Sequence, residues 1–418
     1  MTLNRGVVAM CAAQFCAQIG AFSVAALLPT LIAVWSLTNT QAGWISGIYY
    51  AAYTLAVPLL SSLTDRVDPK RIYLGSVALT AVAFAGFAWA ANGFWSALAF
   101  RALMGAGWAG SYMPGLKALS DAAEGPQQSR AVAAHAAAVG VSGALSFGVA
   151  GAVNAWLGWQ WALVPGALGA ASAFVFVLIA LPARPVRAAA GPRGGLLDFR
   201  PILRNRSALA YSVAYSVHTW EMSALRGWVV TFLTFAAART PGAWTPLAPA
   251  TVASVMGLVG VWASVWGNEL AIRFGRRRFI LGTMLTSGAL AAGIGFSAAL
   301  PYAGVAALIL LYAMLIWSDS SSLTAGSAGS AEPGRRGATL AVHSTLGYAG
   351  GFLGPLALGA TLDLFGGASV LGWGMAFGHV TLALLLGALV FVWLRPADLA
   401  GDRSATAAAA TAPFSSPR

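Results

Sequence analysis

The chain has 418 residues, 58% of them hydrophobic and 9% charged, with a formal net charge of +12 and a mean hydropathy of +0.74. Soluble globular domains carry roughly 25% charged residues, so this composition excludes one. It also excludes a β-barrel, whose strands are about 10 residues long and alternate apolar with polar, because apolar runs of about 20 residues, each able to cross a bilayer as a helix, recur throughout.

Twelve such spans are predicted in chain order, at 7–33, 41–64, 72–91, 95–119, 131–156, 159–181, 208–236, 248–272, 278–299, 302–329, 338–362 and 370–394. The first holds both cysteines, Cys11 and Cys16, together with Gln14 and Gln18. Two cysteines in one helix can build neither a disulfide scaffold nor a zinc site, so they read as small core residues. The span is too long for a secretory signal and lacks a small-residue cleavage site, so it is expected to remain as the first helix. The second span carries Tyr49 and Tyr53 and runs into a basic cluster, Asp65-Arg66-Val67-Asp68-Pro69-Lys70-Arg71. The fourth contains Arg101-Ala102-Leu103-Met104-Gly105-Ala106-Gly107, then Tyr112, and ends near Lys117, which is placed to snorkel.

The longest break in hydrophobicity is a linker at 183–206, which separates an N-terminal half (1–182) from a C-terminal half (207–395). The seventh span holds His218, Glu221 and Arg226 within one polar run from Tyr211. A second basic cluster, Arg273-Phe274-Gly275-Arg276-Arg277-Arg278, follows the eighth span. The tenth contains Trp317-Ser318-Asp319-Ser320-Ser321, and the eleventh is rich in glycine around Gly354-Pro355. The tail, 396–418, is dominated by Ala, Thr, Ser and Pro and is expected to be disordered.

Where the positive charge sits decides what it means. With twelve spans and both termini on one side, 21 of the 24 Lys and Arg residues fall on that face. Arg239 lies opposite, and Arg101 and Arg226 lie within spans. This is the positive-inside pattern, with cytoplasmic termini in a bacterial-type inner membrane. The charge orients the chain in the bilayer, and no nucleic-acid partner is expected.

The two basic clusters also report a duplication. Arg66 and Arg273 are 207 residues apart, and His135 and His343 are 208 apart, with glycines 8 and 16 residues after each His. Two parallel six-helix halves with a site between them at mid-depth describe a secondary transporter. The clusters resemble the loop signature of the major facilitator superfamily, Gly-x-x-x-Asp-Arg-x-Gly-Arg-Arg. The first copy matches at Asp65, Arg66, Lys70 and Arg71 but has Ser61, Asp68 and Pro69 at other pattern positions. The second keeps Arg273, Gly275, Arg276 and Arg277 but has Ile272 in the acidic slot. The segment from Arg101 to Gly107 is similar to the family's Arg-x-x-Gln-Gly-x-Gly motif, with Met104 in place of Gln.

The resemblance implies an all-α membrane fold of twelve helices in two pseudo-symmetric halves, with helices 1, 4, 7 and 10 around a central cavity. It also implies that Asp65, Arg66, Arg71, Arg273 and Arg277 form a cytoplasmic gate, and it associates Arg101 with proton coupling or substrate anions. Gly354-Pro355 is similar to a motif that the family associates with antiporters, although there in helix 5.

Ionisable groups inside membrane helices are costly unless paired or wet, so each is a functional candidate. On a helical projection His218 and Glu221 are about 60° apart and Arg226 about 80° to the other side of His218, which lets all three address one cavity. Glu221 and Asp319 are the proton-coupling candidates, with Arg101. Arg226, His218, Gln14, Gln18, Tyr49, Tyr53, Tyr112 and Trp317 are the substrate-binding candidates. The competing structural readings are a Glu221–Arg226 packing pair, an Asp319 bond to neighbouring serines, and Arg101 held by backbone carbonyls. The offset maps Glu221 onto Gln14 and Asp319 onto Tyr112, so the acids belong to one half only.

The expectation is a proton-coupled transporter of a small organic anion or metabolite, working by alternating access as a monomer without cofactor or metal. The alternative is proton-driven efflux of drugs or amphipathic metabolites. No catalytic constellation or P-loop is present in the sequence, so an enzyme or direct ATP drive is not expected.

Overall fold

The computed structural model describes residues 5–64, 66–120, 125–181, 200–239, 247–333, 335–400 and 402. These form helices α1 (Arg5–Gln18), α2 (Ser23–Trp35), α3 (Asn39–Leu63), α4 (Pro69–Ala90), α5 (Phe94–Ser120), α6 (Gly125–Leu157), α7 (Val164–Ala180) and a short α8 (Arg200–Arg204). The second half contributes α9 (Arg206–Arg239), α10 (Pro249–Phe274), α11 (Arg276–Ile294), α12 (Tyr302–Ser318), α13 (Ser320–Gly329), α14 (Arg336–Leu364) and α15 (Val370–Leu394). No strand occurs among the described residues. α1 with α2 forms the first membrane crossing and α12 with α13 the tenth, so the crossings number twelve in two halves of six.

Local chemistry sets the boundaries. Thr38 and Gln41 close a reciprocal capping box at the start of α3. Asp68 accepts from the Lys70 amide and Pro69 opens α4, so two of the three residues that depart from the loop signature act as a helix start. Lys70 Nζ then donates to the Leu178 and Leu181 carbonyls, tying the cluster to the end of α7.

Eight crossings are long and apolar enough to span a membrane on composition alone. The other four, α3, α5, α9 and α14, carry Tyr49, Tyr53, Arg101, His218, Glu221 and His343, all buried, so polar content that lowers their hydropathy faces protein. On the outside, Trp89, Trp95, Trp156, Trp161 and Trp393 are exposed near helix ends, as an aromatic belt requires.

The halves meet along two seams, α3 against α14 and α6 against α10. A Cβ on Gly43 would lie 2.6 Å from the Pro355 carbonyl, and one on Gly47 2.5 Å from that of Phe352, so only glycine permits this approach. The second seam brings Gly257 against Ala144 and the Gly148 amide onto Ser254 Oγ at 2.7 Å. Asp363, at the end of α14, closes the first seam. Its carboxylate accepts from the Asn39 amide (3.0 Å) and Nδ2 (2.7 Å) and from the Thr40 amide (2.7 Å) and Oγ1 (2.6 Å). These contacts lie toward the end opposite the basic loops. At the basic end Arg66, Arg71 and Arg273 are exposed, and Asp65 lies outside the described residues.

The tail departs from expectation between 396 and 402. Arg276 is buried and donates to Asp402 Oδ1 (3.2 Å), Asn268 Oδ1 (3.1 Å) and the Ser322 carbonyl (3.1 Å). Asp398 accepts from the Arg277 amide at 2.7 Å, and the Tyr211 hydroxyl donates to the Ala397 carbonyl at 2.8 Å. The second basic cluster, which has Ile272 where its pattern has an acid, thus receives carboxylates from beyond α15. Residues 403–418 and 183–199 lie outside the described residues.

Candidate functional site

A cavity of about 330 Å³ opens between the halves, walled by the break between α1 and α2 and by α3, α5, α6, α9, α10, α12, α13 and α14. Of the sequence candidates, Gln18, Tyr49, Tyr112, Arg226 and Trp317 stand on its wall. Arg226 is the one charged residue there among the described residues. Its Cζ lies 5.0 Å from the Phe22 ring and 4.8 Å from the Trp317 ring, so an aromatic face from each half attends the cation. No ion pair to a carboxylate holds it among the described residues. The opposing wall is aromatic: Tyr49 stacks on Trp108 at 5.1 Å with 3° between planes, and Tyr50 stacks on Tyr348 at 6.4 Å.

Glu221 does not reach this cavity. It is buried inside the C-terminal half, where Ser287 Oγ donates to its Oε1, and the Tyr312 hydroxyl stands beside it. The helical projection gives the reason. The wall residues Tyr215, Thr219, Ser223 and Arg226 form one stripe on α9, and Glu221 lies about 140° around the helix from Arg226. Its repeat partner Gln14 behaves alike, buried in the N-terminal half with the Tyr73 hydroxyl 3.4 Å from Oε1. The offset found equivalent positions; both face the interior of their own half, and no Glu221–Arg226 pair forms.

His218 and Asp319 meet behind the wall, with Nδ1 2.9 Å from Oδ1 and both side chains buried. Asp319 sits at the break between α12 and α13, between Trp317 and Ser320 of the wall. No serine bond holds its Oδ1, so the expected bond to neighbouring serines is not what positions it. The Tyr215 ring stacks on His218 at 5.7 Å and on His343 at 4.0 Å, connecting the wall to this buried group.

Arg101 is held by a backbone carbonyl of the first crossing. Unwinding between α1 and α2 frees the Ala21 carbonyl, to which Arg101 Nη2 donates at 3.1 Å, while the guanidinium lies 4.1 Å from the Tyr49 ring. The same break directs the Phe22 amide to Ser146 Oγ at 3.0 Å, so the freed backbone is satisfied by neighbouring helices. Arg101 nevertheless borders a second, small pocket of about 10 Å³ with Ser46, Ser223 and Arg226. Tyr53 packs between Trp108 (4.1 Å) and Tyr348 (4.4 Å), behind the lining residues.

Sequence reasoning passed over Phe22, Trp108, Ser223 and Tyr348. Trp108 was findable, because it stands seven residues after Arg101 and four before Tyr112, on one helical face. Phe22 was not, since only the unwinding of the first crossing turns it inward. No cluster of His, Cys, Asp and Glu suited to a metal occurs among the described residues.

Comparison with known proteins agrees with this architecture. Human protein spinster homolog 1 is 25% identical over 274 residues, covering 61% of this chain and 51% of that protein. A niacin transporter from Acinetobacter baylyi is 32% identical over 87 residues, 21% of this chain and 20% of that protein. The matches to the spinster homologues thus span about half of those proteins' length. Among solved structures, a bacterial homolog of the human lysosomal transporter spinster, in an inward-facing and occupied conformation, superposes with a TM-score of 0.75 at 16% identity, covering 93% of this chain and 96% of that one. A nucleoside transporter also gives a TM-score of 0.75, at 14% identity, covering 93% of this chain and all of that one (100%). The sequence model of the Major Facilitator Superfamily matches residues 10–251, more than half of the chain, and the chain belongs to that family of membrane transporters, not to an enzyme family.

Proposed function

We propose that the chain is a proton-coupled secondary active transporter of a small organic anion, working as a monomer by alternating access across a bacterial inner membrane with both termini cytoplasmic. The observation that carries this reading is Arg226, a cation without a carboxylate partner among the described residues, on the wall of a cavity between two halves. A charge in that setting costs several kcal/mol unless something compensates it, and an anionic solute does so. Family membership supports small-solute transport, as do the relative named for niacin and the structural neighbour named for nucleosides.

Asp319 and Glu221 are the proposed proton carriers, with His218 Nδ1 2.9 Å from Oδ1 of Asp319. Arg101 positions the break in the first crossing, and Gln18, Tyr49, Tyr112 and Trp317 bind solute with Arg226. Asp65, Arg66, Arg71, Arg273 and Arg277 would gate the cytoplasmic side, which supports reading the present arrangement, with Arg66, Arg71 and Arg273 exposed, as open there. Efflux of amphipathic compounds is the second reading, favoured by the aromatic wall and by Gly354-Pro355 at the seam.

The test is uptake into proteoliposomes under an imposed pH gradient, with pyranine reporting protons and labelled monocarboxylates reporting solute. Accumulation along the inward proton gradient, above that in protein-free vesicles, is expected for symport. Expulsion of solute by the same gradient would favour efflux instead.

A further inference from the structure

Resting on the anion-transport reading, we infer that the site selects a planar aromatic carboxylate of one or two rings, one carboxylate oxygen of which enters the small pocket bounded by Ser46, Arg101, Ser223 and Arg226. The two cavities share a wall, since Phe22, Tyr50, Ser223 and Arg226 line both. A ligand in the large one therefore reaches the small one past Arg226.

The small pocket is a set of donors without acceptors. Ser46 Oγ, Ser223 Oγ and Arg101 Nε are buried and make no hydrogen bond. Leaving a buried polar group unmet costs about 1–3 kcal/mol, so three together mark a place built for an acceptor that arrives from elsewhere. Arg226 also lines it, and a guanidinium can pair bidentately with a carboxylate. A volume of about 10 Å³ holds about one water-sized atom. A planar carboxylate that sends one oxygen in keeps its other oxygen in plane outside, whereas a tetrahedral sulfonate or phosphate brings two further oxygens against the rim.

Arg226 on the large wall and Arg101 in the small pocket are both cations with no carboxylate partner among the described residues, so the site takes an anion and repels a cation. The body of the ligand follows from the remaining wall, where nine of the 25 lining residues are aromatic. Trp108 Nε1, also buried without a partner, supplies one more donor beside these rings. Aromatic faces favour offset stacking on another ring over contact with a flexible alkyl chain. The volume of about 330 Å³ lies at the low end of ligand pockets, which run roughly 300–1,000 Å³, so the body is small. Ser46 and Arg101 belong to one half and Ser223 and Arg226 to the other, so the same carboxylate bridges both halves.

Titration calorimetry on the purified full chain in nanodiscs, at neutral pH, tests this with 2-naphthoate, 2-naphthamide, naphthalene-2-sulfonate and octanoate. Naphthoate should bind at least tenfold more tightly than each of the others. Arg226→Gln should remove the preference for acid over amide. Ser223→Ala, which alters only a hydroxyl, should weaken naphthoate several-fold and leave the amide unchanged; it decides the matter should Arg226→Gln fail to fold. Equal binding of sulfonate or octanoate overturns the inference, as does absence of naphthoate binding or an unchanged acid preference in the serine variant. The transport reading fails separately. Naphthoate binding in the expected order without proton-driven accumulation removes the coupling and keeps the site; proton-driven uptake of other anions without naphthoate binding does the reverse.

Discussion

Asp363→Ala should open the end of the molecule that is closed in this structure. The carboxylate meets four donors, two of them the first backbone amides of α3, and it is the direct polar lock between α14 of one half and α3 of the other. Removing a helix-capping side chain costs about 0.5–2 kcal/mol, and a charge at a helix N-terminus adds about 0.3–1 kcal/mol. The group is exposed, so screening trims the second contribution. A net loss of about 1–2 kcal/mol shifts a two-state equilibrium about 5- to 30-fold. Asp363→Asn, which keeps one acceptor, should fall between. Double electron–electron resonance reads the shift, with spin labels at the exposed positions Ser62→Cys and Arg278→Cys after Cys11 and Cys16 are replaced by Ala. The distance distribution should move toward the shorter separation expected when the basic ends approach. A folded Asp363→Ala protein whose distribution matches its parent would refute the lock.

The other predictions share that assay or the transport measurement. Gly43→Ala, whose Cβ would press on the Pro355 carbonyl at 2.6 Å, should shift the spin-label distribution in the same direction as Asp363→Ala; a shift the other way excludes steric opening. Asp402→Ala leaves buried Arg276 with only Asn268 and Ser322, and should lower the thermal midpoint through a loss of about 1–3 kcal/mol. An unchanged midpoint would mean that the segment after α15 does not hold Arg276 in solution. Glu221→Gln and Asp319→Asn should each abolish concentrative uptake while keeping solute counterflow. If both still concentrate solute on a proton gradient, the proposed carriers are wrong.

The fold was legible because a membrane leaves few choices. Spans of about 20 apolar residues must be helices, and the 207-residue offset exposed the two halves. Even the four helices with weak hydropathy were informative, since α3, α5, α9 and α14 carry what lines or seals the cavity. The site was half legible. Arg226 and Trp317 are where polar and aromatic residues on crossings 7 and 10 suggested. Glu221 was misplaced because about 60° to one side of His218 and about 80° to the other were read as one face, although together they put about 140° between Glu221 and Arg226. Arg101 is ambiguous in the sequence because its two surroundings, the Ala21 carbonyl freed by the break and the small pocket, both arise from the unwinding and packing of other helices. The Asp402–Arg276 pair could not be read at all, because it joins residues 126 apart through a segment of unremarkable composition.

With the proposed carriers behind the wall, the proposed coupling requires a residue that touches both carrier and solute site. Trp317 fits that position. It stands two residues before Asp319 at the break in the tenth crossing and 4.8 Å from the Arg226 guanidinium. Asp319 lies 2.9 Å from His218, and the joint between α12 and α13 lets the adjoining turn shift without disrupting a continuous helix. Trp317→Ala should therefore loosen the proton-to-solute ratio rather than stop either flux, whereas Asp319→Asn should remove the coupled proton. Simultaneous pyranine and labelled-solute traces measure that ratio. A Trp317→Ala protein that transports at the wild-type ratio would show that coupling bypasses this ring, leaving Tyr215, which stacks on His218 and also faces the cavity, as the alternative contact.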